Sequence, residues 1–341
     1  MNIQERIEKQ RQIIYELLTP LIDCDYLFID LPYYSNIGDT LIWKGTETFL
    51  SSLSYKCLLK ASFQTFSFPQ IEQDTVIVMM GGGNWGDLYA PHNKLRRDVV
   101  EHYPDNKIII LPQTVYYEGA RNACADAKVF RKHKKLTICA RDRYSYNFLR
   151  RFDFSKNIVL VPDMAFCIDN EALRQLSCKS TGKDLVFKRV DKEQSSMSVL
   201  DRYLSGRRYD ISDWPLYEGN DHKADRLYAL LKAERLLDAD RYAIETYLPE
   251  RFREGVEHIS KYERVFSNRL HGAILAILLG KETFILDNSY GKNSQYYNTW
   301  LKGTDNIHLM SVNKPMRIKR KIRFLLHWLR AMVTKDNSSC V

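Results

Sequence analysis

Short apolar runs, each closed by a polar or glycine-bearing turn, recur along the first half of the chain: Tyr26 to Leu31, Thr75 to Met80, Lys107 to Leu111, Leu136 to Ala140 and Ile158 to Val161. Runs of this length and composition predict strands, and helical patterns lie between most of them. Strand and helix in alternation predict a parallel sheet covered by helices on both faces, with ligands at the carboxyl ends of the strands. A polar stretch, Asn170 to Lys183, precedes a second series. It reads as strand Asp184 to Arg189, helix Ala224 to Leu237, strand Tyr242 to Glu245, helix Glu250 to Ser260 and a closing unit over residues 267–293. The expected organisation is one α/β domain over residues 1–178, a second over 179–312, and a tail over 313–341, with the two domains facing each other across a cleft.

The closing unit, SNRLHGAILAILLGKETFILDNSYGKN, concentrates the chemistry. Arg269 and His271 stand where an apolar helical run begins, Gly280 ends that run, and Thr283 to Leu286 resume as a buried strand. A helix start carries unsatisfied N–H groups and partial positive charge, so a guanidinium and an imidazole placed there form a receptor for phosphate or carboxylate. The competing reading is an arginine and a histidine engaged in structural hydrogen bonds.

Strand-end loops of the first half supply further candidates. Asn36 and Asp39 in SNIGDT precede a helix; capping accounts for one of them and leaves the other to face the cleft. Gly82, Gly83 and Asn84 lie in GGGNWGD, where glycines let backbone N–H groups approach a ligand. That spacing is neither a Walker A loop nor a dinucleotide fingerprint. Gln113 in LPQT and Arg141 in ARD bring an amide and a guanidinium to the same sheet edge, and Asp163 in PDMAF is flanked by apolar residues that would raise its pKa. Residues 191–220 lack periodicity and read as a lid or binding loop.

Composition narrows the setting. The 341 residues are 45% hydrophobic and 27% charged, ordinary for a globular protein of two domains. Seven cysteines without CxxC or Cys/His metal spacing indicate reduced thiols, and no metal site is expected. The charged N-terminus and the lack of any span-length apolar run place the protein in the cytoplasm. The net charge of +9 gathers toward the C-terminus, where residues 314–335 form a basic amphipathic helix. Its apolar stripe would dock on the other domain or lie on an anionic membrane surface.

Taken in order, SNIGDT, GGGNWGD, LPQT, ARD, PDMAF, FKRVDKE, SNRLHG and DNSYGKN resemble the polysaccharide pyruvyl transferase family, over about residues 26–302. The resemblance implies two facing Rossmann-like domains similar to the B-type glycosyltransferase fold. It also implies transfer of pyruvate from phosphoenolpyruvate to a sugar as a ketal, with phosphate released. No cofactor, metal or nucleic acid is implied; the partners would be phosphoenolpyruvate and a saccharide acceptor, lipid-linked and met at the inner face of the membrane. On this reading Arg269, Leu270, Lys292 and Arg189 hold the donor on the second domain. Asn36, Gly38, Gly82, Gly83, Asn84, Gln113 and Arg141 complete the substrate site. His271 is the acid, and Asp39 or Asp163 the base. The alternative is a glycosyltransferase of the same fold using a sugar nucleotide.

Overall fold

The computed structural model describes residues 1–188, 200–215, 221–287 and 291–310. Two wholly parallel sheets dominate it. The first, of seven strands, contains β1 (Tyr26–Ile29), β2 (Cys57–Ala61), β3 (Val76–Met79), β4 (Gly82–Gly86), β5 (Ile108–Tyr116), β6 (Leu136–Ala140) and β7 (Asn157–Leu160). Their order is β2-β1-β3-β5-β6-β7, with β4 paired to β5. The second sheet contains β8 (Asp184–Phe187), β9 (Tyr209–Ser212), β10 (Arg264–Ser267), β11 (Glu282–Leu286) and β12 (Ile307–Met310), in the order β12-β11-β10-β8-β9. The expected α/β architecture of parallel sheets is therefore present, while the C-terminal amphipathic helix, residues 314–335, lies outside the described residues.

Both sheets reverse their winding direction once, and these reversals locate the site. In the first sheet the chain leaves β1 toward β2, then returns across it to β3; in the second it leaves β8 toward β9, then returns to β10. A crevice opens at the carboxyl ends of the strands where the connections diverge. The described segments in question follow β1, β3 and β10, and carry SNIGDT, GGGNWGD and SNRLHG.

Central strands such as β3 are buried along their whole length, which is why they read as continuous apolar runs rather than alternating ones. The helix Ile37–Ser51 packs against the helices Leu248–Ser260 and Leu270–Leu278 of the second unit. Ile37, Leu41, Phe252, Ile274 and Ile277 consequently share one apolar cluster across the two units. Each such side chain, fully buried, contributes roughly 1.5–3 kcal/mol.

Three local expectations are corrected. The strand expected at Tyr242 to Glu245 is helical: residues 236–260 run as helix, π-turn and helix, because Ala239, Ala243 and Tyr247 recur every fourth residue and all face the core. The glycine-rich segment is not a free loop but β4, paired to β5 and anchored by the buried Trp85. Gln113 likewise lies within β5, which continues past Pro112 to Tyr116 with a register shift between Ile110 and Gln113.

Candidate active site

One cavity of about 380 Å³ lies between the two sheets. From the first unit it is lined by Asn36, Gly38, Asp39, Gly83, Asn84 and His92, and from the second by Trp214, Arg269, Leu270, His271, Lys292 and Asn293. Nine of the expected site residues thus meet here. Gly82, Gln113, Arg141 and Asp163 lie outside the lining, and Arg189 lies outside the described residues.

The helix Leu270–Leu278 has Arg269 as its N-cap, whose side chain makes no capping hydrogen bond. Its neighbour, the helix Ile37–Ser51, is capped by Asn36, which accepts from Gly38 N at 3.1 Å and donates through Nδ2 to Asp39 Oδ2 at 2.7 Å. Asn36 is the capping residue of the pair, and Asp39 is turned to the cavity. The two helix starts meet at Gly38, where a β-carbon would stand 2.9 Å from His271 Nδ1. Any larger residue would displace the imidazole.

His271 reaches across to the first unit. Its Nε2 lies 3.2 Å from Asp163 Oδ2 and 3.4 Å from Arg141 Nη1. Asp163 also accepts from Arg141 Nη1 at 2.6 Å and caps the turn Met164–Cys167 through Ala165 N at 3.0 Å. Burial alone would push the Asp163 carboxyl up, as its apolar neighbours suggest. At the acidic pH where this carboxyl titrates, His271 is protonated, and its charge and hydrogen bond, the Arg141 guanidinium and the Ala165 N–H outweigh burial and hold the carboxyl well below the usual range. A carboxyl so depressed and already engaged by Arg141 and Ala165 is a weak proton acceptor, which disfavours Asp163 in the role of base expected of it. Burial also pushes the His271 pKa down, with Arg141 adding to that effect against the pull of Asp163 and Asp39. The resting imidazole is therefore neutral near pH 7, its Nε2–H donated to Asp163 and its Nδ1 lone pair toward Gly38.

Arg141 is fully buried, donating through Nε to Thr114 Oγ1 at 2.9 Å as well as to Asp163, while its carbonyl accepts from Trp300 Nε1. Its remaining nitrogen, Nη2, has no hydrogen-bond partner among the described residues. A β-carbon at Gly83 would stand 2.7 Å from Nη2 and would overlap Lys292 Nζ, so glycine there lets an ammonium from the second unit settle beside the guanidinium of the first. An unpaired buried guanidinium nitrogen next to a lysine is a seat for an anion.

Arg269 differs from expectation. It lines the cavity, but its Nε and Nη2 grip both carboxylate oxygens of buried Asp213. Its charge is compensated within the protein. Gln113 is also structural, its Nε2 donating to Met80 O at 2.8 Å.

Two residues that line the cavity, His92 and Trp214, and the carboxylates Asp30 and Asp213 behind the lining escaped sequence reasoning. His92 opens a helix whose charged residues obscure any pattern, and Asp30 is a single residue after β1. The only hint at Asp30 is an acid directly ending a buried strand. Asp213 and Trp214 were hidden in the aperiodic stretch after residue 191.

The model of the polysaccharide pyruvyl transferase family matches residues 36–290 of this sequence. The chain belongs to that family. It is 32% identical over 297 residues to a Bacillus subtilis protein named "Putative pyruvyl transferase EpsO", covering 84% of this chain and 88% of that one. It is 26% identical over 329 residues to pyruvyl transferase 1 of Schizosaccharomyces pombe, covering 89% and 76% respectively. A crystal structure of a functionally uncharacterised Klebsiella pneumoniae protein matches with a TM-score of 0.59 at 22% identity, covering 89% of this chain and 99% of that one, a likeness of fold. This pyruvyl transferase family member is thus an enzyme whose acceptor class is polysaccharide. No helix among its described residues is long and apolar enough to cross a membrane.

Proposed function

We propose that the enzyme transfers the pyruvyl group of phosphoenolpyruvate to two hydroxyls of one sugar in a lipid-linked polysaccharide precursor, forming a ketal and releasing phosphate. The observation that carries this reading is the unpaired Arg141 Nη2 beside Lys292 above Gly83, next to an uncapped helix start. A small donor bearing both phosphate and carboxylate requires cationic hosts this close together. Lys292 and Arg141 take the phosphate, and the start of the helix at Leu270 takes the carboxylate. The donor is thereby held between Lys292 and the Leu270 helix of the second unit, residues 179–312, and Arg141 of the first, residues 1–178, from which the acceptor hydroxyls approach.

Ketal formation needs a proton on the methylene carbon C3. The arriving phosphate raises the depressed pKa of His271, so the imidazole gains its proton together with the donor and delivers it to C3. Asp39 is the carboxylate that faces the cavity, and Asp163 holds the acid in place. Residues 314–335 would keep the enzyme at the inner membrane surface where a lipid-linked acceptor is met; flotation with anionic vesicles, with and without that segment, tests this part.

The reaction is tested by phosphate release from phosphoenolpyruvate in the presence of methyl glycosides of common hexoses, against sugar nucleotides offered with the same acceptors. Release that depends on both phosphoenolpyruvate and glycoside is expected. Turnover of a sugar nucleotide instead would overturn the assignment of donor.

A further inference from the structure

A second histidine faces the cavity from the wall opposite His271. His92 lies on the helix Ala90–His102 of the first unit and is 7% exposed. Its Nδ1 is 2.6 Å from Asp30 Oδ1. The other carboxylate oxygen of Asp30 accepts from Arg96 Nη2 at 2.9 Å, and Arg96 also donates to Asn84 Oδ1 at 2.6 Å, tying the assembly to the glycine-rich strand. The edges of Tyr34 and Phe63 fix the plane of the ring, with centroid separations of 5.6 and 4.7 Å. Asp30 itself has φ of +70°, a left-handed conformation that costs a non-glycine residue energy and persists only where the surroundings enforce it. Arg96 and Asp30 are both fully buried, so the pair is built into the wall rather than a surface contact.

The consequence is a fixed tautomer. A carboxylate at Nδ1 accepts a proton there, which leaves the Nε2 lone pair on the cavity side, where it makes no hydrogen bond to any described residue. An imidazole so oriented is a base.

We infer that His92 Nε2 takes the proton from the attacking acceptor hydroxyl, with Asp30 and Arg96 as its positioning residues. This rests on the pyruvyl-transfer reading above and supplies its missing base. The acid and base then stand on opposite walls. His271 gives its proton to C3, and the electrons of the C2–C3 double bond form the new C–H bond. The first hydroxyl oxygen bonds to the cationic C2 as its proton passes to His92. The C2–O bond to phosphate breaks with its electrons going to the leaving group, which takes the proton from His92 and departs as hydrogen phosphate. The second hydroxyl bonds to C2 and gives its proton to the now neutral His92, which passes it to solvent, while His271 takes a proton from solvent with the next donor. Of the two hydroxyl protons, one leaves on phosphate and one goes to solvent, balancing the proton that His271 took up and delivered to the product methyl group.

Two measurements test the inference. Nitrogen-15 NMR of the full chain, with the His92 signals identified from His92→Gln, should show the proton on Nδ1 at pH 8, and Asp30→Ala should return it toward Nε2. A proton on Nε2 in the wild type overturns the inference without any acceptor. In phosphate release from phosphoenolpyruvate with methyl glycosides, His92→Gln should lower turnover about 10²–10⁴-fold while leaving phosphoenolpyruvate affinity within about threefold. Turnover within threefold of wild type refutes the role of His92 alone, whereas a wild type inert toward every glycoside refutes the underlying reading instead.

Discussion

The two walls of the cleft are built differently. On the first wall the charged groups are locked to one another: Asp30 to Arg96 and His92, Asp163 to Arg141, Asp39 to Asn36. The second wall has Arg269 locked to Asp213, but its His271 and Lys292 reach over to groups of the first. Fixed anchors on one side and reaching side chains on the other mean that the site is complete only when the two units are together. The shared apolar core beneath the cavity keeps them so.

The sharpest way to break this comparison is to remove the longest reach. His271→Ala should reduce turnover by about 10²–10⁴-fold, measured as phosphate release, with phosphoenolpyruvate affinity within a few-fold. Near-normal turnover would remove the acid assignment. Arg269→Ala, on the locked part of the second wall, should act chiefly on stability. It removes the guanidinium from the buried Asp213 carboxylate, costing roughly 3–5 kcal/mol in denaturant unfolding. An unchanged unfolding midpoint with weakened donor binding would instead return Arg269 to the anion site. Lys292→Met should weaken phosphoenolpyruvate binding by about 10–100-fold by calorimetry, with the unfolding midpoint little altered. Gly38→Ala should have the smallest effect, about 3–30-fold in turnover, because the β-carbon pushes His271 away from its seat while the fold survives. Wild-type kinetics in that variant would show that the imidazole position is not held by the neighbouring helix start.

Legibility in the sequence followed the same division. Strand ends flanked by long apolar runs are readable, so the sequence alone places the segments after β1, β3, β6 and β10 on one crevice. Side chains whose role depends on a distant partner were not. Nothing near Arg269 announces that Asp213, 56 positions away, neutralises it, and nothing near Asp163 announces Arg141 and His271. The apolar flanks of PDMAF pointed to a raised carboxyl pKa, and the pairing reversed the sign. The stretch Tyr242 to Glu245 reads as a strand because short apolar runs suit strand and helix alike, and a face of Ala239, Ala243 and Tyr247 decides for helix.

The central claim is that a doubly anionic donor, bound by Lys292 and Arg141, charges His271. Since the resting pKa of His271 is depressed, protons are taken up on binding throughout the window between that value and the higher one imposed by the donor. Affinity for phosphoenolpyruvate should then fall as pH rises through that window, more steeply than the titration of the ligand's own phosphate accounts for. Calorimetry in buffers of different ionisation enthalpy, on the wild type and on His271→Gln, measures this directly. The account predicts proton uptake in the wild type that exceeds that of the variant near pH 7. Equal uptake in the two, or no saturable phosphoenolpyruvate binding at all, would contradict it.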